Sequence, residues 1–194
     1  MNPTERDSYL RAVDLVLNPL GFKRSKSSFE WKRKVDSQNS EWIHLNFGKA
    51  VINPSLGVFY ADLEKLLPPE AGAVAGVSRM LSTIASQSYS TQTRPEQIAE
   101  DIVRFALPAL VQLRDRVAIA AVLQNSSASD WPTFSASHRM RLLPLLLAGM
   151  GRVSEALDWL THLEKVASSS DQMLPKFEAF ASHFRGKYIV KQDH

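Results

Sequence analysis

The chain has 194 residues, 44% hydrophobic and 22% charged, which is enough for the packed core of one domain or of one domain with an appendage. It contains no cysteine, which excludes disulfides and thiolate metal sites and suits a reducing compartment. The N-terminus lacks the apolar segment of a secretory signal and no apolar run reaches the ~18 residues of a membrane span, so we expect a cytoplasmic protein that does not enter a membrane.

The net charge of +3 is unevenly distributed along the chain. Residues 22–34 carry six basic side chains and one acidic one, a local net charge of +5, so the rest of the chain carries −2. A local basic surface is typical of proteins that meet nucleic acid, an anionic surface or an acidic protein. It is also typical of a solvated strand face on which lysines block edge-to-edge pairing.

The first predicted element is an amphipathic helix on which Thr4 is a candidate N-cap. Its apolar side chains recur at helical spacing at Tyr9, Leu10, Val13, Leu17 and Leu20. Pro19 and Gly21 end this helix.

Residues 28–35 then alternate as a half-buried strand does. The predicted faces are Phe29, Trp31, Arg33 and Val35 on one side and Ser28, Glu30, Lys32 and Lys34 on the other. A second strand places Ile43, Leu45 and Phe47 on one face and Trp42, His44 and Asn46 on the opposite one. Asn53, Pro54 and Gly57 predict a turn before a third strand over residues 56–62. The short connections favour antiparallel pairing.

The second half reads as helical, whereas part of residues 77–89 is compatible with either a strand or a short helix. Pro95 is predicted at a first helical position, and Pro108 is predicted to kink or break the helix. Further helices are predicted near residues 138–148, 153–166 and 171–185, the first two as an αα-hairpin. The predicted fold class is α+β, an N-terminal helix on an antiparallel sheet followed by a mainly helical C-terminal half. The predicted domains are an α+β domain at 1–124, a Ser-rich linker at 125–137, and a helical extension at 138–194 that is either separate or packed on the same core.

No motif of a nucleotide-binding loop, a zinc protease or a serine hydrolase occurs, and no two histidines have the i, i+4 spacing of a helical metal site. We therefore expect no enzyme, no cofactor and no metal. The remaining catalytic hypothesis places a site around His44, sharing a face with Trp42 and Asn46 and with Arg33 nearby.

The candidate partner-binding residues are those of the basic strands: Arg24, Lys32, Arg33, Lys34, Trp42 and His44. Basic side chains there suit an acidic protein surface. Trp31 and Trp42 close to lysines and arginines also suit stacking on single-stranded nucleic acid, which is the alternative. The sequence does not predict an oligomeric state.

About two thirds of the chain resembles a bacterial family known only as a domain of unknown function. The resemblance lies in the leading helix, NPLGFKR at 18–24, SFEW at 28–31, IHLNFG at 43–48 and FALPALVQL at 105–113. It implies a small α+β protein, and the settings of some members imply an immunity role in toxin neutralisation. The family has no catalytic motif, so the resemblance implies no site residues.

Overall fold

The computed structural model describes residues 2–68, 75–125, 136–167 and 174–189. Contacts divide the chain into two compact units, residues 1–59 with 77–115 and residues 60–76 with 116–194. The helix, the antiparallel sheet and the mainly helical C-terminal half confirm the predicted fold class. The predicted linker at 125–137 falls largely outside the described residues, and it stays a prediction. The contacts group residues 116–125 with the second unit.

Helix α1 spans Pro3–Leu17 and begins with a capping box. The Asn2 side chain accepts a hydrogen bond from the Glu5 N–H at 2.8 Å, and the Glu5 carboxylate accepts one from the Asn2 N–H at 2.9 Å. Thr4, the predicted cap, therefore lies inside the helix, because Pro3 fills the first helical position and the residue before it caps. Leu20 lies in the 3₁₀ turn Asn18–Leu20 beyond α1, so it is 40% exposed rather than buried with the α1 side chains.

The first unit is built around a six-stranded sheet. The strands are β1 Lys23–Arg24, β2 Glu30–Lys34, β3 Asn39–Phe47, β4 Val51–Tyr60, β5 Gly76–Met80 and β6 Tyr89–Ser90. Their order in the sheet is β1-β2-β3-β4-β5, and β6 pairs with the start of β4 through Val51 and Ser90. β1 and β3 both pair antiparallel with β2.

Strand β4 corrects one prediction, because Asn53, Pro54 and Gly57 lie inside the strand and not in a turn. Pro54 comes after Val51 and Ile52, the two residues of β4 that pair with β6. The pairing of β4 changes from one neighbouring strand to another at this point, so the missing N–H of a proline is tolerated. Glycine is needed at position 57 because neighbouring atoms lie close to its backbone, and not because the chain turns there. A Cβ at Gly57 would clash with the Val77 carbonyl oxygen and would lie 2.5 Å from the Trp42 indole, so only glycine fits where that ring crosses β4.

Helix α1 binds the sheet through Asp14, which accepts hydrogen bonds from Arg24 of β1 and Trp31 of β2. α1 packs against α4, Pro95–Asp101, which begins at Pro95 as predicted. The helix does not break at Pro108. It continues through a π-helical turn, Ile102–Ala106, into α5, Leu107–Leu113. Pro108 offers no N–H to the preceding turn, and a π-helical turn is one way in which a helix absorbs that loss. A short helix, α3, spans Leu81–Ile84.

The second unit is helical, as predicted for the C-terminal part of the chain. α7, Ala136–Gly149, and α8, Val153–Ala167, pack together as a hairpin whose turn contains Gly151 at φ +78°. Phe177, Phe180 and Phe184 of the last helix are buried in the core of this unit. Arg116 binds Asp62 through two hydrogen bonds of 2.6 and 2.8 Å. The helices are α2 Ala61–Glu64, α6 Arg116–Asn125, α7 Ala136–Gly149, α8 Val153–Ala167 and α9 Leu174–Ile189.

Candidate functional site

The sheet register sorts the predicted basic residues onto two faces. Directly opposed residues of paired strands point to the same face, and the pairs Lys23–Lys32 and Lys32–Trp42 form one row across β1, β2 and β3. The neighbouring row, Arg24–Trp31–Ile43, points the other way. Its Trp31 and Ile43 are buried, and the Trp31 indole reaches Asp14 of α1. The predicted strand faces are therefore correct, and they separate the lysines from the arginines.

We call the exposed side the lysine face and define it by Lys23, Lys32, Lys34, Trp42 and His44. All three lysines are exposed, and Trp42 and His44 are half-buried. Lys32 forms an ion pair of 2.7 Å with Glu30, which lies on the same face. In the part of the chain that the structure describes, neither Lys23 nor Lys34 has an ion pair or a hydrogen bond through its ammonium group. Lys23 was not among the predicted contact residues, because a two-residue strand shows no alternation from which its face could be predicted.

Arg24 lies on the opposite face and is held by α1. Its Nη2 donates to Asp14 at 2.7 Å, and the Trp31 indole N–H donates to the same carboxylate at 2.7 Å. Burial opposes ionisation of Asp14, but the hydrogen bonds from Arg24 and Trp31 outweigh it and lower the pKa of this carboxyl. With only 14% of its side chain exposed, Arg24 fastens the sheet to the helix.

Arg33 also points away from the lysine face, towards the buried carboxylate of Glu41. Its Nε and Nη2 donate to Glu41 Oε2 at 3.0 and 2.5 Å, and its Nη1 donates to the Leu20 carbonyl at 2.9 Å. Arg114, the residue that follows α5 as its C-cap, has its Nε 3.3 Å from the other oxygen, Glu41 Oε1. Glu41 is fully buried, so these two arginines neutralise a charge that water does not reach. Sequence reasoning missed this charge cluster, because Arg114 is distant from Glu41 along the chain.

His44 stands opposite Glu30 on the lysine face. The predicted neighbourhood of His44 and Arg33 is wrong, because the two side chains are on opposite faces of the sheet. Among the described residues, no carboxylate, amide or hydroxyl forms a hydrogen bond with the His44 ring. The hypothesis of a site around His44 therefore loses Arg33 as a member.

Trp42 supplies the apolar part of the lysine face. Its indole crosses Gly57 of β4 and is half-buried against the sheet. Its N–H donates to no group within the described ranges. A tryptophan with a fixed ring and an available donor, flanked by cations, is the kind of residue that anchors a protein interface.

A second polar cluster, which the sequence did not indicate, joins β6 to α4. Asp101 is 4% exposed and its Oδ2 accepts hydrogen bonds from the Gln97 amide at 3.2 Å, the Tyr89 hydroxyl at 3.4 Å and the Gln87 amide. Burial and the nearby Asp101 charge raise the pKa of Tyr89 to about 12, although the Gln87 hydrogen bond opposes them. Tyr89 therefore stays a donor at neutral pH, and the cluster stabilises the loop before α4.

Across the described residues, no group of three or more histidine or acidic side chains is arranged to hold a metal ion. No helix in those residues is long and apolar enough to cross a bilayer. Comparison of the chain with family models, curated proteins and solved structures gives no match. The lysine face is therefore the candidate site on its geometry and charge alone.

Proposed function

We propose that this chain is a non-enzymatic protein-binding module that acts by direct binding, as an immunity protein that neutralises a bacterial toxin. The biological role is motivated by the resemblance of sequence motifs in the first two thirds of the chain to a family with immunity-like settings, for which no family model gives a match. A cytoplasmic location, expected from the absence of cysteine, is part of the same proposal. The partner is an acidic protein surface that meets the lysine face.

The observation that carries the proposal is the row Lys23–Lys32–Trp42. Lys23 on the edge strand β1 stands directly opposite Lys32, and Lys32 takes its counter-charge from Glu30. Lys23 has no such ion pair among the described residues, so a partner carboxylate that binds Lys23 supplies the counter-charge that the chain itself does not. Trp42 beside them offers a contact that is independent of charge.

Arg24 and Arg33 are not part of the proposed binding surface, because each binds a carboxylate on the opposite face of the sheet. The partner-binding set becomes Lys23, Lys32, Lys34, Trp42 and His44. Exposed cations on a rigid sheet steer an acidic partner and accelerate its association, and salt screens this effect.

The alternative is a nucleic-acid-binding protein that uses the same lysines, with Trp42 stacking on a base. It predicts a steep salt dependence, since each phosphate contact releases counterions. The two functions share residues but differ in what a capture experiment recovers.

The test is affinity capture from the source cells with the wild-type chain and the Lys23→Glu/Lys34→Glu variant in parallel, at low and at moderate salt. The proposal predicts one acidic protein bound by the wild type, lost with the variant, and toxic to cells unless the wild-type chain is co-expressed. Nucleic acid that is lost on raising the salt would support the alternative. A protein captured equally by both chains would refute the placement on the lysine face.

A further inference from the structure

We infer that Glu30 sets the selectivity of the lysine face, by favouring an acidic protein with separate carboxylates over nucleic acid. The inference rests on the proposed function, since it concerns the same surface. Glu30 is the one acidic residue in the basic segment 22–34. The structure places it on the lysine face as the cross-strand partner of His44.

Glu30 neutralises the central lysine of the face. Its Oε1 lies 2.7 Å from Lys32 Nζ, and its side chain keeps 31% of its surface exposed. Residues two apart on a strand are roughly 7 Å apart, so Glu30, Lys32 and Lys34 follow one another along β2 at that interval. The face therefore presents Lys23 and Lys34 as available cations. The Glu30 carboxylate lies on β2, between strand β1 and the His44 side chain of β3.

This arrangement distinguishes two kinds of anion. A folded protein carries separate carboxylates and places them on Lys23 and Lys34, while one of its donors meets Glu30. A nucleic-acid strand carries a negative charge at every nucleotide, so a strand laid along the face brings a phosphate towards Glu30. Repulsion built against the wrong partner is a common source of specificity.

The test uses the full chain and a single-stranded oligothymidylate labelled with a fluorophore, with binding read by anisotropy. The variant is Glu30→Gln, which keeps the shape of the side chain. The control is Glu100→Gln, an exposed position on α4 that changes the net charge equally. At low salt we expect Glu30→Gln to tighten binding roughly threefold relative to the control, from one unit charge removed about 7 Å from a phosphate in a water-like dielectric. The difference should disappear at high salt.

Equal effects of Glu30→Gln and Glu100→Gln would overturn the inference, as would the absence of oligothymidylate binding by all three chains. The proposed function is tested separately by the lysine variants on the protein partner. If those variants lose the partner while Glu30→Gln matches its control, only the selectivity inference fails. If they retain the partner, the proposed function fails whatever the oligothymidylate shows.

Discussion

Two glutamates on neighbouring strands should differ sharply in their effect on stability. Glu41 on β3 is fully buried between Arg33 and Arg114, whereas Glu30 on β2 forms an ion pair with Lys32, whose side chain is 70% exposed. Replacing each by glutamine removes one charge and keeps the shape. The comparison isolates the consequence of burial, because residue type, element type and chemical change are the same.

The expected magnitudes follow from the exposure of the partners. Removing one member of a buried ion pair costs about 3–5 kcal/mol, because the charges left behind lack solvent. Arg33 and Arg114 are 29% and 30% exposed, so they rehydrate in part, and we expect Glu41→Gln to cost about 3 kcal/mol. The Glu30–Lys32 pair is screened by water, so Glu30→Gln should cost at most about 1 kcal/mol.

The stability of both variants is measured by urea denaturation, with tryptophan fluorescence as the signal. With an m value of about 2 kcal/mol/M, Glu41→Gln should lower the midpoint by about 1.5 M and Glu30→Gln by less than about 0.5 M. The double replacement Arg33→Met/Glu41→Leu should lose less stability than the sum of the two single replacements, because the paired atoms depend on each other. Equal midpoints for the two glutamine variants would refute the assignment of a buried charge cluster.

Three other replacements test separate features of the fold. Gly57→Ala should cost about 2 kcal/mol in urea denaturation, because its methyl group would be forced against both the Val77 carbonyl oxygen and the Trp42 indole. Asp14→Asn should flatten the acid side of the stability profile. The pKa of Asp14 is lower in the folded state, so its charge stabilises the fold above the unfolded value of about 3.9 and this contribution is lost as the pH falls further. Gly151→Ala, at φ +78° in open space, should lower stability by about 1 kcal/mol through backbone strain alone.

Each of these expectations has a clear contrary result. An unchanged urea midpoint for Gly57→Ala would mean that neither the Val77 carbonyl oxygen nor the Trp42 indole lies against Gly57. An unchanged profile of Asp14→Asn below about pH 4 would contradict the lowered pKa. A stabilising effect of Gly151→Ala would show that the left-handed turn between α7 and α8 does not form.

Much of the fold could be predicted because local patterns determine it. Alternation along residues 28–35 and 42–47 predicts both strands and their faces, and the spacing Tyr9–Val13–Leu17 predicts the buried side of α1. The turn predicted at Pro54 and Gly57 was wrong, since turn-forming residues also occur where a strand changes partners or a ring passes close by. Such reasons depend on contacts between distant residues.

The candidate site could be predicted only in part for the same reason. Counting charge in residues 22–34 treats Arg24 and Arg33 as equivalent to the lysines, whereas the sheet turns them towards Asp14 and Glu41. Both acceptors lie outside that segment. Lys23 joins the site only through its register with Lys32. Composition therefore identifies the segment, and strand pairing decides which of its cations are available.

The rate of association with the captured protein partner tests the central claim most directly. It should be measured by stopped flow for the wild type, for Lys23→Glu/Lys34→Glu, and for Lys26→Glu/Lys49→Glu, whose exposed lysines lie in the turns before β2 and β4 and give the same change in net charge. We predict that reversal on the lysine face slows association at least tenfold at low salt, and that the control slows it only about two- to threefold. Equal slowing by the two variants would mean that net charge alone attracts the partner, and would contradict a binding site on the lysine face.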